Sequence, residues 1–269
     1  MPKVLADWHN IESELMRRYA AQTNNIGRKL AGMRTADLLL STEKKLLSRC
    51  KAHIVVSERE RNELLRLSPD ADVHVISNGV DTSYFTALTA IDRKEEAPAL
   101  LFVGSMDYHA NIDAMTWFVN GAWQDIATRF PQLHFTIAGR HPAPAVQALA
   151  SERVHVTGTV ADLRKVYARA FAVVVPLRVG GGTRLKILEA MAAGVPVIST
   201  RRGAEGLEAR DGVHFLLADT SEQISAAIAT LLAAPDKRSR LIAEARRLVE
   251  TQYDWNVLGQ RLASLYSGM

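Results

Sequence analysis

Six short apolar segments, ALLFV (99–103), HFTIA (134–138), VHVTG (154–158), AVVVP (172–176), PVIST (196–200) and HFLLA (214–218), set the terms on which this chain can fold. Helical patterns lie between them at about 111–129, 143–150, 162–170 and 183–193, and the sequence from Ser221 onward is helical. Strands that are apolar on both faces need helices covering both faces, and parallel neighbours need a crossover between them. The alternation therefore predicts a doubly wound α/β domain. Upstream, KVLADWH (3–9), HIVVS (53–57) and VHVI (73–76) read as strands. Helices are expected from Asn10, over about 25–50, and over ERERNELLRL (58–67). The order β, α, α, β, α, β suggests a second parallel sheet built from crossovers. A turn-rich stretch near 77–98 separates the two, and the expected division is 1–80, a linker over 81–98, a domain over 99–250 and a final segment over 251–269.

In 269 residues, 48% hydrophobic and 23% charged, there is material for one large or two small globular domains. No apolar run reaches the roughly 18 residues that cross a bilayer, and the N-terminus has no signal-peptide pattern. A soluble, cytoplasmic protein is expected. The lone Cys50 excludes an internal disulfide, and no Cys/His cluster has zinc spacing. Net charge is +4, and residues 1–66 hold 13 Lys/Arg against 8 Asp/Glu. That excess suits a solvated basic face or a surface that meets anionic lipid or acceptor. Nucleic acid is not expected as a partner, since aromatics are 6% and no binding module is recognisable.

Ligands of open parallel sheets bind beyond the carboxyl ends of the strands. That rule selects Gly104, Ser105 and Met106 after the first strand of the second domain and Gly139 and Arg140 after the next. Gly158, Thr159 and Val160 follow the third strand, and Gly180, Gly181, Gly182 and Thr183 the fourth. The three consecutive glycines open the helix that carries Arg184, Lys186 and Glu189. A helix start with free N–H groups attracts an anion, and Lys186 and Glu189 share one helix face. Backbone donors with Arg184 and Lys186 suit a diphosphate, and Glu189 can accept hydrogen bonds from a ribose diol. A plain turn followed by a surface Lys186–Glu189 pair fits the same residues. The spacing is not that of a P-loop, and no G-x-G-x-x-G follows the first strand.

The segments VISNGVDTSYF, FVGSMDYHANIDAMTWF, FTIAGRHP and VHVTGTVADLRKVYARAFAVVVPLRVGGGTRLKILEAMAAGVPVIST resemble, in that order, the donor-binding half of family 4 glycosyltransferases. This family, also called glycosyl transferases group 1, has the GT-B fold. The resemblance spans about residue 73 to the C-terminus, with KILEAMAAGVPVIST its most specific part. It implies a nucleotide-diphosphate sugar donor, retaining transfer without metal or other cofactor, and a cleft between two Rossmann-like domains. Glu189 matches the ribose-binding second glutamate of the family's E-x7-E motif, while Gly181 stands where the first would be. Ser105 occupies the position of a diphosphate-binding arginine, and the partner lysine position falls at Ala110 or Asn111. Arg184 and Lys186 are therefore expected to supply the charge. Gly158, Thr159 and Val160 match the segment that meets the base, and Gly104, Met106, Asn111 and Arg140 complete the donor-binding set. VLADWHNIESELMRRYA resembles the acceptor-domain segment whose histidine faces the donor sugar, which makes His9 a catalytic candidate with Arg184 and Lys186. YDWNVLGQRLASLY resembles the final helix, which crosses back to the N-terminal domain.

The family's acceptor domain opens with a glycine-rich strand-loop-helix, and no counterpart precedes Val4. The expectation is a complete donor domain joined to a partial acceptor domain, with an exposed sheet edge that pairs with a second copy through residues 1–66. The expected work is polysaccharide or glycolipid assembly, with a glycan or glycolipid acceptor and peripheral contact at the inner face of the membrane. The competing class is a non-catalytic nucleotide-sugar-binding subunit completed by a partner chain. A nucleotide-sugar epimerase of the same fold finds no support in the motifs.

Overall fold

The computed structural model describes residues 4–23, 25–86, 98–179 and 184–268, which fall into two compact units. One takes the residues up to 78 and those from 258 onward, and the other takes the described residues of 79–257.

In the first unit, β1 (Leu5–Trp8), α1 (Glu12–Gln22), α2 (Ile26–Arg49), β2 (Ala52–Val55), α3 (Glu58–Leu67) and β3 (Val73–Val75) follow in the expected order. The strands form a parallel sheet, β1-β2-β3, with Leu5 opposite Ala52 and His53 opposite Val73. Side-chain caps fix two helix starts: Asn25 accepts from the Arg28 N–H and Ser57 from the Glu60 N–H. The core is small, built on Trp8, Ile11, Leu47, Val55, Leu64 and Val73. A polar tie supplements it, since the buried Glu43 carboxylate accepts from both the backbone N–H and the hydroxyl of Ser13.

The second unit begins with α4 (Thr82–Thr86), β4 (Ala99–Val103), α5 (His109–Trp117), α6 (Trp123–Arg129) and β5 (His134–Ala138). It continues through α7 (Pro144–Gln147), β6 (Val154–Gly158), α8 (Leu163–Arg169), β7 (Ala170–Val175), α9 (Leu185–Ala192), β8 (Val197–Ser199) and β9 (Leu216–Leu217). The helices α10 (Ser221–Ala233) and α11 (Pro235–Leu248) follow, then α12 (Trp255–Gly268), whose residues from Leu258 belong to the first unit. All six strands are parallel, in the order β6-β5-β4-β7-β8-β9. Phe102, Phe118, Phe135 and Tyr167 are fully buried in its core, with Phe118 edge-on to Phe135 at 4.9 Å between centroids. From β4 the chain steps outward to β6 and returns to β7 on the other side. The loops after β4 and β7 therefore part at the sheet's switch point and leave a crevice there.

Three details depart from the sequence pattern. The helix expected over 111–129 is present without a break from His109 to Arg129, but its winding widens to a π-type turn at Phe118–Ala122, around Asn120 and Gly121. Of HFLLA only Leu216 and Leu217 form strand proper, flanked by the Ala218 N–H bond to the Ser199 carbonyl and by a bridge between Phe215 and Asp211, while the His214 ring accepts from the Arg210 N–H at 2.9 Å. Residues 79–86 are held within the second unit: the Val80 N–H donates to the Tyr253 carbonyl at 2.8 Å, and the Thr82 hydroxyl to Asp254 Oδ2 at 2.6 Å.

Candidate functional site

The loops after β4 and β5 are joined by backbone hydrogen bonds, from the Gly104 N–H to the Ala138 carbonyl at 3.0 Å and from the Met106 N–H to the Arg140 carbonyl at 2.9 Å. Such closeness demands glycine. A β-carbon on Gly139 would lie 1.6 Å from the Gly104 carbonyl oxygen, and Gly139 has φ of 154°, a conformation open to residues without a side chain. The Met106 side chain is fully buried, so only its backbone reaches the rim. The Ser105 hydroxyl donates to Asp107 Oδ1 at 2.7 Å and accepts from Arg140 Nε at 3.2 Å. The Ser105 hydrogen bond, with smaller help from His141 and Arg140, holds the Asp107 carboxyl below the ordinary aspartate range.

Across the switch point, α9 presents Lys186 and Glu189 one turn apart. The Lys186 ammonium donates to Asn111 Oδ1 at 2.9 Å and lies 4.4 Å from the Phe102 ring centroid. A desolvated cation over an aromatic face gains about 2 kcal/mol. Asn111, itself buried, donates through Nδ2 to the Ser105 carbonyl at 2.8 Å, tying the lysine to the β4 loop. Burial and, less strongly, the Arg184 charge pull Lys186 down to about 7, with Glu189 opposing them. Glu189 Oε2 accepts from the Tyr167 hydroxyl at 2.8 Å. Burial raises the Glu189 carboxyl above its usual range and pushes the Tyr167 phenol well upward.

The expected cationic pair does not point one way. Arg184 and Lys186 are two residues apart, a spacing that sends helical side chains in different directions. The buried Arg184 guanidinium donates to the Arg202 carbonyl at 2.8 Å and lies 3.9 Å from Glu205. That loop lines a cavity of about 680 Å³ at the ends of β7, β8 and β9, with Leu177, Thr200, Arg202, Glu205 and Asp219 among its walls.

Of the other expected residues, Gly158 has φ of 66° and accepts from the Gly139 N–H at 3.2 Å, Thr159 is exposed, and Val160 packs against the core. Gly180, Gly181, Gly182 and Thr183 lie outside the described residues. His9, in the first unit at the end of β1, is exposed, with Nε2 3.9 Å from Asp7. The structure thus gathers Gly104, Ser105, Asn111, Arg140, Lys186 and Glu189 along one edge of one unit. Sequence reasoning missed Phe102 and Tyr167, which read as ordinary core residues; only their tertiary neighbours mark them. Among the described residues no three His, Cys, Asp or Glu side chains form a metal-ligand group.

Residues 97–234 match the family model described as glycosyl transferases group 1. The chain belongs to that family. Residues 22–84 match a second model, glycosyltransferase family 4. Over 163 residues the chain is 29% identical to a GDP-mannose-dependent alpha-(1-6)-phosphatidylinositol monomannoside mannosyltransferase of Mycolicibacterium smegmatis, an alignment covering 55% of this chain and 43% of that protein. The chain thus spans less than half of that relative's length. Sucrose-phosphate synthase of Thermosynechococcus elongatus superposes with a TM-score of 0.75 at 22% identity, over 98% of this chain and 67% of that one. Anabaena HepE, in complex with UDP and glucose, gives 0.74 at 17% identity, over 99% and 72%. At such identities the likeness is one of fold, the α/β GT-B architecture.

Proposed function

We propose that this group 1 family member binds a nucleotide-diphosphate sugar and transfers the sugar, with retention at the anomeric carbon, to a polysaccharide or glycolipid acceptor. The observation that carries the reading is the placing of Lys186 and Glu189 one helical turn apart at the switch point, each fixed by its own partner, Asn111 or Tyr167. A carboxylate held by a buried phenol is ready to accept from a ribose diol. A desolvated ammonium at the carboxyl edge of β4 is placed to meet phosphate oxygens. The names of the similar proteins agree: the mycobacterial relative is GDP-mannose-dependent, and Anabaena HepE is seen with UDP.

In the transfer, the bond from the anomeric carbon to the leaving phosphate oxygen breaks and the bond to the acceptor oxygen forms on the same face. The acceptor proton passes to the departing diphosphate. Lys186 and neighbouring donors stabilise the charge that develops on that diphosphate, where pre-placed dipoles and cations lower a barrier most. No metal is assigned a role.

Acceptor binding, self-association through residues 1–66 and contact with the inner membrane face belong to the same proposal. Their support is one stretch of α2 on which Ile26, Leu30 and Met33 are exposed among Arg28, Lys29 and Arg34. Light scattering tests the self-association and flotation on anionic vesicles the membrane contact, and a monomer that ignores vesicles would count against these two.

The activity itself is tested with α-configured UDP- and GDP-hexoses and lipid-linked acceptors, following the anomeric proton by NMR. An α-linked product is expected. A β-linked product overturns retention, and a donor bound but never consumed makes the chain a binding subunit.

A further inference from the structure

Two cations reach the β4–α5 loop from elements other than its own. Arg140, from the loop after β5, donates through Nε to Ser105 Oγ at 3.2 Å. Lys186, from α9, donates to Asn111 Oδ1 at 2.9 Å. Their two acceptors are themselves connected, because Asn111 Nδ2 donates to the Ser105 carbonyl at 2.8 Å. Between the contacts stands Gly104, where an added β-carbon would meet Asn111 Nδ2 at 2.7 Å and Lys186 Nζ at 3.2 Å. The loop therefore brings two cations from separate elements to one place at the carboxyl edge of the central strand, with Gly104 leaving the room that the Asn111 and Lys186 side chains occupy.

From these contacts we infer that Arg140 and Lys186, aimed by Ser105 and Asn111, form the clamp for the donor's diphosphate, and that Arg184 stands outside it. The inference rests on the nucleotide-sugar reading and names the residues that meet its phosphates. Arg140 is exposed and spends Nε on Ser105, so the bond that anchors it does not use the two terminal nitrogens, the part of a guanidinium suited to phosphate oxygens. The Ser105 hydroxyl gives its proton to Asp107, so its lone pairs face Arg140. The carboxylates that face the pair are Asp107 on the Ser105 side and Glu189 on the Lys186 side. They offset part of the pair's positive charge, so the clamp selects by where its donors stand. Arg184 instead joins the Arg202 carbonyl and Glu205, and its role is to hold the 200–207 loop.

Ser105 and Asn111 also stand where the family resemblance calls for an arginine and a lysine. Each cation is then not lost but supplied across a hydrogen bond by a neighbouring element, and exchange of the two side chains becomes a direct test. Calorimetric titrations with UDP, UMP, GDP and GMP are made on the wild-type chain, on Arg140→Ser, Lys186→Asn and Arg184→Met, and on the exchanged pairs Ser105→Arg/Arg140→Ser and Asn111→Lys/Lys186→Asn. Circular dichroism on each sample confirms folding.

The diphosphate of the preferred base is expected to bind at least about tenfold tighter than its monophosphate, the scale of one charge-assisted hydrogen bond. Either single loss of Arg140 or Lys186 is expected to erase that ratio with little change for the monophosphate, the exchanged pairs to restore most of it, and Arg184→Met to keep it. An unchanged ratio in Arg140→Ser and Lys186→Asn, exchanged pairs that restore nothing, or a ratio lost in a folded Arg184→Met overturns the clamp while leaving the nucleotide-sugar reading intact. A folded wild-type chain that binds neither diphosphate overturns both.

Discussion

The Tyr167 hydroxyl donates to Glu189 Oε2 at 2.8 Å from a position wholly buried between α8 and the sheet. Glu189 is only half-buried, so the phenol fixes one oxygen and leaves the other for a ligand. Tyr167→Phe is expected to cost about 1–2 kcal/mol of stability in denaturant titration, the range for a lost buried hydrogen bond. It is also expected to weaken nucleoside diphosphate binding several-fold while leaving a 2′,3′-dideoxy analogue unaffected. Equal weakening of both analogues would mean that Glu189 does not meet the ribose.

Lys186 gives the site a pH dependence near neutrality. Its folded-state value of about 7 lies below the ordinary lysine value of 10.5, so between those limits the unfolded chain holds more protons than the folded one. Stability should then rise with pH across this window, by up to about 1.4 kcal/mol per unit. Lys186→Met should flatten that rise. Diphosphate binding needs the charged amine, so affinity should fall above pH 7, with proton uptake at pH 8 seen as calorimetric heats that differ between buffers. Uptake of the same size in Lys186→Met would assign the proton elsewhere.

Two neighbouring glycines should respond differently to one methyl group. Gly139→Ala sets a β-carbon against the Gly104 carbonyl in a backbone conformation closed to side chains, and is expected to lower the melting temperature steeply. Gly104→Ala presses only on the ends of the Asn111 and Lys186 side chains, and is expected to keep the fold while weakening diphosphate binding. Similar melting temperatures for the two variants would contradict the backbone clash.

Asp254 anchors the start of the second unit. It accepts from the N–H and hydroxyl of Thr82 and from the N–H and side-chain amide of Asn256. These bonds, that of the Thr82 hydroxyl foremost, hold its carboxyl below the ordinary value of 3.8. The stabilisation is therefore present above pH 3.8 and is lost as pH falls through the folded-state value. Asp254→Ala should destabilise by about 2 kcal/mol at pH 7 and shrink the loss on acidification, as followed by urea melts at several pH values. An equal loss at pH 7 and in acid would point to packing instead.

The strands were legible from their apolar and β-branched runs: ALLFV, HFTIA and VHVTG are strands to the residue, the first buried on both faces and the last an edge strand that alternates between buried or half-buried and exposed positions. Helix boundaries and winding carry weaker signals: the helical pattern over 111–129 does not announce the π-type widening at Phe118–Ala122. The site divides along the same line. Glycines and charges at strand ends announce themselves, because position at an edge follows from topology. Which way a long side chain turns does not, and the contrast between Lys186 and Arg184 was invisible until Asn111 and Glu205 were in place. Tyr167 carries no mark in sequence, since its meaning lies in the neighbour that α9 brings to it.

The central claim is that the edge formed by β4, β5 and α9 holds a nucleoside diphosphate. Calorimetric titration of the purified chain with UDP and GDP, repeated on Glu189→Ala, tests it most directly. One of the two nucleotides binding at a single site, weakened at least about tenfold by the substitution, is the expected result. Binding of equal strength in a folded Glu189→Ala chain would place the nucleotide elsewhere, and a folded wild-type chain that binds neither would contradict the account.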